Sequence, residues 1–199
     1  MTQQILILVG PDRCGKTNIA AELSRLTCIP VFKASSEHRA FLGDQRSFLN
    51  DLKYADPRLC DFIKQTNASV ILDRSWPCEK VYSEFFKRKT DKKALKYIDA
   101  AYASVGAKVV VCTRKSFVGI QDDLDKKLDE KALTTIAELY QKFTSWTKCQ
   151  TYTLYVDDEN LERQTTEIIQ FMGYSSETQE KLRYWSLANK SVKELVQHV

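Results

Sequence analysis

The amino-acid sequence predicts an α/β fold, in which helices cover both faces of a five-stranded parallel sheet and a further helix follows at the C-terminus. Five short apolar runs lack apolar–polar alternation, which is typical of strands buried on both faces of a parallel sheet. Stretches with helical periodicity separate these runs, and that order predicts a doubly wound sheet. A chain of 199 residues is long enough to bury one full core.

The elements follow from the pattern in order. The predicted strands are Ile5–Val9, Pro30–Lys33, Ser69–Asp73, Ala107–Cys112 and Tyr152–Val156. A helix is expected after the first strand, and the later predicted helices are Pro57–Gln65, Glu79–Arg88, Lys92–Ala103, Glu130–Thr147 and Asn160–Met172. Residues 1–173 are expected to form one domain, and residues 174–199 a helical extension packed on it. Ligands of such sheets bind at the carboxyl ends of the strands, so functional residues are expected there.

The composition is that of a soluble globular protein, with 43% apolar and 28% charged residues. The net charge of +4 suits an enzyme that binds phosphates, but it is too small to indicate a dedicated nucleic-acid-binding protein. The six cysteines form no C-x-x-C pair and only two histidines are present, so no zinc site is predicted and a reducing, cytoplasmic setting is expected. The apolar run Ile5–Val9 is too short for a signal or membrane segment.

A phosphate-binding loop is predicted at Gly10–Thr17, which matches G-x-x-x-x-G-K-[ST] between a buried strand and a helix. Gly10 and Gly15 allow the backbone N–H groups to turn toward phosphates. The Lys16 ammonium is suited to the β- and γ-phosphates, and the Thr17 hydroxyl to Mg²⁺. The loop predicts a P-loop NTPase fold that uses ATP and Mg²⁺, and it gives no information on the phosphoryl acceptor.

A second carboxylate, Asp73, ends the predicted strand Ser69–Asp73. An Asp at such a place can hold the Mg²⁺ shell, directly or through water. The next residue, Arg74, can bind a phosphate with two hydrogen bonds. The alternative is an Asp–Arg pair that only caps a helix, and the phosphate loop favours the catalytic interpretation.

These two segments together resemble the thymidylate kinase branch of the nucleotide kinases. Gly10–Thr17 resembles that family's G-x-D-x-x-G-K-[ST] loop, in the variant with Arg after the Asp. Asp73–Tyr82 resembles its D-R-[YHS]-x-x-S-x-x-A-Y stretch, with Cys78 for Ser and Val81 for Ala. Ser75 is shared with some deoxynucleoside kinases and virus-encoded relatives. The order of elements agrees over roughly residues 5–172.

The resemblance implies a role for each matching residue. Asp12 would approach the acceptor sugar or orient nearby arginines, and Arg13 would be the arginine that stabilises the transition state. Arg74 would bind the acceptor phosphate, Tyr82 would line the acceptor pocket, and the adenine would lie near Asp157–Glu162. The family also makes a homodimer a possible assembly.

The sequence departs from the family after the second strand, where an R-[FY]-P-like element is expected. Lys33, Arg39 and Phe41 are the residues that could do similar work there. Trp76 and Tyr82 lie close to Asp73-Arg74 and are predicted to stack on the acceptor base. The segment 44–67 is an insertion relative to the cellular enzymes.

A mobile lid is predicted over residues 114–129, a polar segment between a strand and a helix. Arg114 closely follows the strand and is the best placed cation, while the acidic residues of this segment are expected to cap or solvate the lid. The predicted nucleotide-binding residues are therefore Gly10, Pro11, Asp12, Arg13, Cys14, Gly15, Lys16, Thr17 and Arg114.

Three functions stay open at this point. The leading hypothesis is a kinase that moves the γ-phosphoryl group of ATP to a deoxynucleoside monophosphate, thymidylate or a modified pyrimidine relative. The second is a kinase acting on a hydroxyl of a modified base or of an end in DNA, with the 44–67 insertion and the basic tail as the nucleic-acid groove. The third is a P-loop ATPase or a nucleotide-dependent regulatory module.

Overall fold

A computed structural model describes residues 3–33, 57–120, 128–175 and 177–182. Its five strands are all parallel and lie in the order β2-β3-β1-β4-β5. The strands are β1 (Ile5–Val9), β2 (Val31–Lys33), β3 (Val70–Asp73), β4 (Lys108–Thr113) and β5 (Gln150–Tyr155). The helices include α1 (Lys16–Thr27), α2 (57–66), α3 (Trp76–Phe85), α4 (Lys92–Ser104), α5 (Glu130–Trp146) and α6 (Leu161–Met172). The predicted fold class is confirmed.

Two elements differ from the predicted bounds by more than one residue at an end. The strand β5 begins at Gln150, two residues before the apolar run predicted, because it is an edge strand whose pairing with β4 starts at Lys108↔Gln150 while its side chains are partly exposed. The helix α3 begins at Trp76 rather than Glu79. Pro77 lies in its first turn, where a missing backbone N–H costs no helical hydrogen bond.

The register of the sheet brings the predicted site residues to one edge. Leu8 of β1 is level with Asp73 of β3, and Lys33 of β2 is level with Asp73 as well. The backbone N–H of Arg74 donates to the carbonyl of Leu8 at 3.0 Å. The loop after β1, the end of β2 and the turn after β3 therefore lie side by side.

The position of Trp76 contradicts one prediction made from the sequence. It is fully buried, and its ring lies edge-on to Phe143 with 5.4 Å between ring centroids and 5.9 Å from Trp146. Both partners belong to α5, so the first turn of α3 directs this ring into the α3–α5 interface. A ring that is 0% exposed cannot stack on a ligand, and the predicted base-stacking role of Trp76 is wrong.

Several predictions fall wholly or partly outside the described residues. Arg39 and Phe41, most of the 44–67 insertion and the middle of the predicted lid belong to these parts. Of the predicted C-terminal extension, residues 177–182 are helical, and Leu182 packs against the core. Among the described helices, none has the length and apolar character needed to cross a membrane.

Candidate active site

The phosphate loop is fixed by a close approach at Gly10. This residue has φ 136°, and a Cβ placed on it would lie 1.9 Å from the carbonyl oxygen of Cys112 in β4. Any side chain would therefore push the loop away from the sheet. Arg13 and Gly15 both take the left-handed conformation, with φ 63° and 64°, which turns the loop around its own N–H groups.

Lys16 is the first residue of α1 and is buried, with 5% of its surface exposed. Its Nζ donates to the carbonyl oxygen of Pro11. Burial, and then the positive charge of Arg74, hold the pKa of Lys16 below its ordinary value, although Cys14 and Asp12 oppose that shift. Burial makes the charged form of the Lys16 ammonium unfavourable. The negative charge of a bound phosphate would offset that cost, so Lys16 is suited to an anionic ligand.

The thiol of Cys14 also lies inside the loop. Burial raises its pKa to about 11, against the opposing charges of Lys16 and Arg114. The thiol is therefore neutral near pH 7, which excludes a thiolate nucleophile at this position. Cys14 contributes to the loop by packing.

Thr17 and Asp73 meet across the loop and β3. The Thr17 hydroxyl donates to Asp73 Oδ2 at 2.8 Å. Asp73 is 2% exposed, and its Oδ1 has no hydrogen-bond partner among the described residues. A hydroxyl beside a carboxylate with one unsatisfied oxygen fits Mg²⁺, a hard cation that prefers oxygen ligands. These two residues would hold the ion.

Asp12 joins the phosphate loop to the start of α3. Its Oδ1 forms an ion pair with Arg74 Nη2, and its Oδ2 accepts a hydrogen bond of 2.8 Å from the Tyr82 hydroxyl. Arg74 has φ 70°, a conformation that costs a non-glycine residue about 1–3 kcal/mol and is concentrated at functional sites. Arg74, which precedes α3, and Tyr82, within α3, therefore both bind the Asp12 carboxylate of the phosphate loop.

The charges around Asp12 determine its ionisation. Burial alone would raise the pKa of Asp12, but the charges of Arg74 and Lys16 and hydrogen bonds from Tyr82 and Arg74 outweigh it and lower the pKa below 3.8. Burial and the charge of Asp12 raise the pKa of Tyr82, so its phenol stays protonated and donates. The site therefore presents a fixed carboxylate between two cations.

A further tyrosine supports this arrangement and was missed from the sequence. Tyr140 of α5 is fully buried, and its hydroxyl donates to Cys78 Sγ of α3 at 3.2 Å. Its ring lies edge-on to Tyr82, with 6.5 Å between centroids. The only sequence signal was the helical spacing of Tyr140 with Ile136 and Phe143, which predicts burial and not a site.

Arg114 connects the phosphate loop to the loop after β5. Its Nε donates to the carbonyl oxygen of Arg13 at 3.2 Å, and its Nη2 pairs with Glu159 at 3.3 Å. The neighbouring backbone N–H of Lys115 donates to Asp157 Oδ1 at 2.9 Å. The predicted lid cation thus lies against the loop. Its pairing with Glu159, in the segment expected near the adenine, was not predicted because the two residues are distant in sequence.

The structure brings most of the predicted site residues together. The described ones at the edge of the sheet are Gly10, Pro11, Asp12, Arg13, Cys14, Gly15, Lys16, Thr17, Lys33, Asp73, Arg74, Tyr82 and Arg114. Lys33 is exposed at the end of β2. Arg13 is exposed at the tip of the loop. Their roles as acceptor-binding and transition-state residues stay predictions.

Comparison with known proteins identifies one curated relative. The SPβ prophage-derived uncharacterised protein YorR of Bacillus subtilis (strain 168) is 28% identical over an alignment of 152 residues, which covers 74% of this chain and 86% of YorR. A crystal structure of YorR in complex with phosphorylated GDP matches with a TM-score of 0.61 at 26% identity, covering 84% of this chain and 95% of YorR. No family model matches the chain.

Other solved structures share the fold at lower identity. Deoxyadenosine kinase from M. mycoides, with products dCMP and dCDP bound, matches with a TM-score of 0.54 at 16% identity, covering 85% of this chain and 98% of the kinase. Thymidylate kinase from Candida albicans matches with a TM-score of 0.52 at 14% identity, covering 86% and 91% of the two chains. Shikimate kinases are among the matches as well. The fold is therefore that of the P-loop kinases, as predicted.

Proposed function

We propose that this chain is an ATP-dependent kinase that transfers the γ-phosphoryl group of ATP to a deoxynucleoside monophosphate. The observation that carries the proposal is the junction at Asp12, where the phosphate loop meets Arg74 and Tyr82 from the acceptor side. ATP hydrolysis does not require an acidic residue of the phosphate loop to be bonded to a second binding segment. Phosphoryl transfer to an acceptor does require such a connection, because donor and acceptor must be held in line.

In the proposed reaction, an oxygen of the acceptor phosphate forms a bond to the γ-phosphorus while the bond to the β–γ bridging oxygen breaks and ADP leaves. Lys16 would exchange its contact with Pro11 for the β- and γ-phosphates, and Mg²⁺ bound at Thr17 and Asp73 would neutralise charge on them. Arg74 would hold the acceptor phosphate and Asp12 a sugar hydroxyl. Arg13 and Arg114, at the loop, are suited to the charge of the transition state.

The proposed acceptor base follows from the motif around Arg74. The motif around Arg74 resembles that of thymidylate kinases, which makes dTMP or a modified pyrimidine monophosphate the first proposed acceptor. The guanine nucleotide bound to YorR supports including purine monophosphates among the candidates. The deoxyadenosine kinases, which share the fold, support including the deoxynucleosides.

The test is a label-transfer experiment with γ-labelled ATP, Mg²⁺ and a panel of deoxynucleosides, their monophosphates and DNA. We expect label on at least one free monophosphate, and no label with Lys16→Met. Label released only as inorganic phosphate, at a rate that no acceptor increases, would contradict the kinase. Label found only on DNA would keep the phosphate-loop chemistry and overturn the proposed acceptor.

A further inference from the structure

The segment 86–97 concentrates the positive charge of the molecule. It contains six Lys or Arg residues and one Asp, a balance of +5, whereas the whole chain carries +4. The rest of the chain is therefore slightly negative. The exposed residues of this segment are Phe86, Lys87, Lys89, Lys92, Lys93, Lys96 and Tyr97, and they are called the lysine face below.

Four residues of the lysine face lie on one side of α4. On α4, Lys92, Lys93, Lys96 and Tyr97 follow the three- and four-residue spacing that places side chains next to one another on a helix. Residues on the other side of this helix, such as Leu95 and Ile98, are in the core. Helix packing therefore presents these lysines together.

The helix dipole does not favour the lysines in the first turn of α4. The first turn of α4 contains Lys92 and Lys93 and no acidic residue, although the positive end of a helix dipole disfavours cations there. The one acid of the segment, Asp91, accepts the backbone N–H groups of Lys93 and Ala94 as the helix cap. Arg88 pairs with the buried Glu79, so its charge is compensated. The pKa of the nearby Glu84 is lowered chiefly by Lys80 and to a smaller extent by Lys92. The placement of Lys92 and Lys93 at the positive end of α4 nevertheless opposes the helix dipole, which favours a role in binding an anionic partner.

Two aromatic rings accompany the charge. Tyr97 is 65% exposed and Phe86 is 47% exposed. Phe86 also stacks on Tyr82, with 6.2 Å between centroids and 28° between ring planes. Since the Tyr82 hydroxyl binds Asp12, the lysine face adjoins the acceptor side of the candidate active site.

We infer that the lysine face binds single-stranded nucleic acid. Lysines neutralise successive phosphates, and exposed rings stack on bases, which a single strand offers and a duplex hides. An acidic protein surface would use the lysines but gain little from the two exposed rings. The inference is independent of the proposed kinase activity, because it concerns binding without ATP.

The test measures fluorescence anisotropy of a labelled 20-nucleotide single-stranded DNA at several salt concentrations. The variant K92Q/K93Q/K96Q is expected to weaken binding at least about tenfold and to reduce the slope of log K against log [salt] by about 2, as three lost phosphate contacts imply. Its matched control, K64Q/K131Q/K148Q, removes three exposed lysines elsewhere and should retain binding. Tyr97→Ala should weaken binding about fivefold or more, through lost stacking.

The outcomes separate the inference from its competitors. Equal losses in the two triple variants would overturn it, as would the absence of any binding at low salt. Binding that is unaffected by Tyr97→Ala and equally strong for duplex DNA or heparin would replace it with a non-specific polyanion surface. Circular dichroism should show both triple variants folded, since Gln is well tolerated at exposed helix positions and Lys148 is exposed between α5 and β5. Failure of the label-transfer experiment would leave these measurements unaffected.

Discussion

The donor side and the acceptor side of the candidate site are built in different ways. The proposed donor side is the loop Gly10–Thr17, which would bind phosphates through backbone N–H groups and the side chains of Lys16 and Thr17. The proposed acceptor side joins Asp12 of this loop to Arg74 and Tyr82, through contacts between positions 62 and 70 residues apart. The donor side should therefore depend on a few residues at fixed spacing, whereas the acceptor side should depend on how α3 packs.

The largest expected effect is on the donor side, from Lys16→Met. Loss of the buried ammonium should lower kcat about 10³-fold, the usual order for a group that stabilises phosphoryl transfer. Stability should not fall, because burial already disfavours the charge that is removed. Initial rates with ATP and dTMP, together with thermal unfolding, measure both. Lys64→Met, at an exposed position of α2, is the control, and a Lys16→Met enzyme that keeps a tenth of the activity would contradict the assignment.

Trp76 tests which part of α3 belongs to the core. Trp76→Ala should lower the free energy of unfolding by about 3–4 kcal/mol, as expected for a large aromatic removed from a packed interface. Trp76→Phe should cost less than half of that, because it keeps a ring and removes an Nε1–H that has no partner among the described residues. Urea unfolding followed by circular dichroism gives both values. A Trp76→Phe protein with full stability and a strongly raised KM for the acceptor would show that the ring contacts substrate.

Asp12→Asn should separate the two sides of the site. We expect kcat/KM for the acceptor to fall about 100-fold, since both Arg74 and Tyr82 lose their anionic partner, while KM for ATP changes little. Asp61→Asn, at an exposed position of α2, should leave both constants unchanged. Equal increases in KM for ATP and for the acceptor would mean that Asp12 belongs to the donor side.

The difference in stability between Asp12→Asn and the parent protein is expected to depend on pH. The pKa of Asp12 is lowered in the folded protein, so its carboxylate stabilises the fold at pH values above 3.8, and this contribution is lost as pH falls toward the folded-state pKa. Asp12→Asn should be less stable than the parent by about 1–2 kcal/mol at pH 7, a value below that of a fully buried pair because both side chains are partly exposed. The difference should shrink at pH 3. A constant difference would exclude ionisation as its origin.

The two sides also differ in how far they could be predicted. The fold, the phosphate loop and Asp73 follow from local patterns: apolar runs, a motif of fixed spacing and its strand–helix context. Trp76 was misassigned because proximity in sequence to Arg74 does not determine which side of α3 a ring occupies. The contacts of Tyr140 and Glu159 were missed because their partners lie 62 and 45 residues away, and no local pattern records such contacts.

The smallest expected effect comes from Tyr140→Phe, which tests whether the support from α5 reaches the acceptor. Removing the hydroxyl ends the contact with Cys78, and because sulfur is a weak acceptor the cost in stability should be under about 1 kcal/mol. KM for the acceptor should rise about threefold through Tyr82, while KM for ATP stays constant. Tyr152→Phe is the matched control, since it removes a hydroxyl that donates to Glu167 at 2.8 Å, between β5 and α6. If both variants change KM for the acceptor equally, the acceptor side does not depend on Tyr140. The long-range contacts that distinguish the acceptor side from the donor side would then extend only as far as Tyr82.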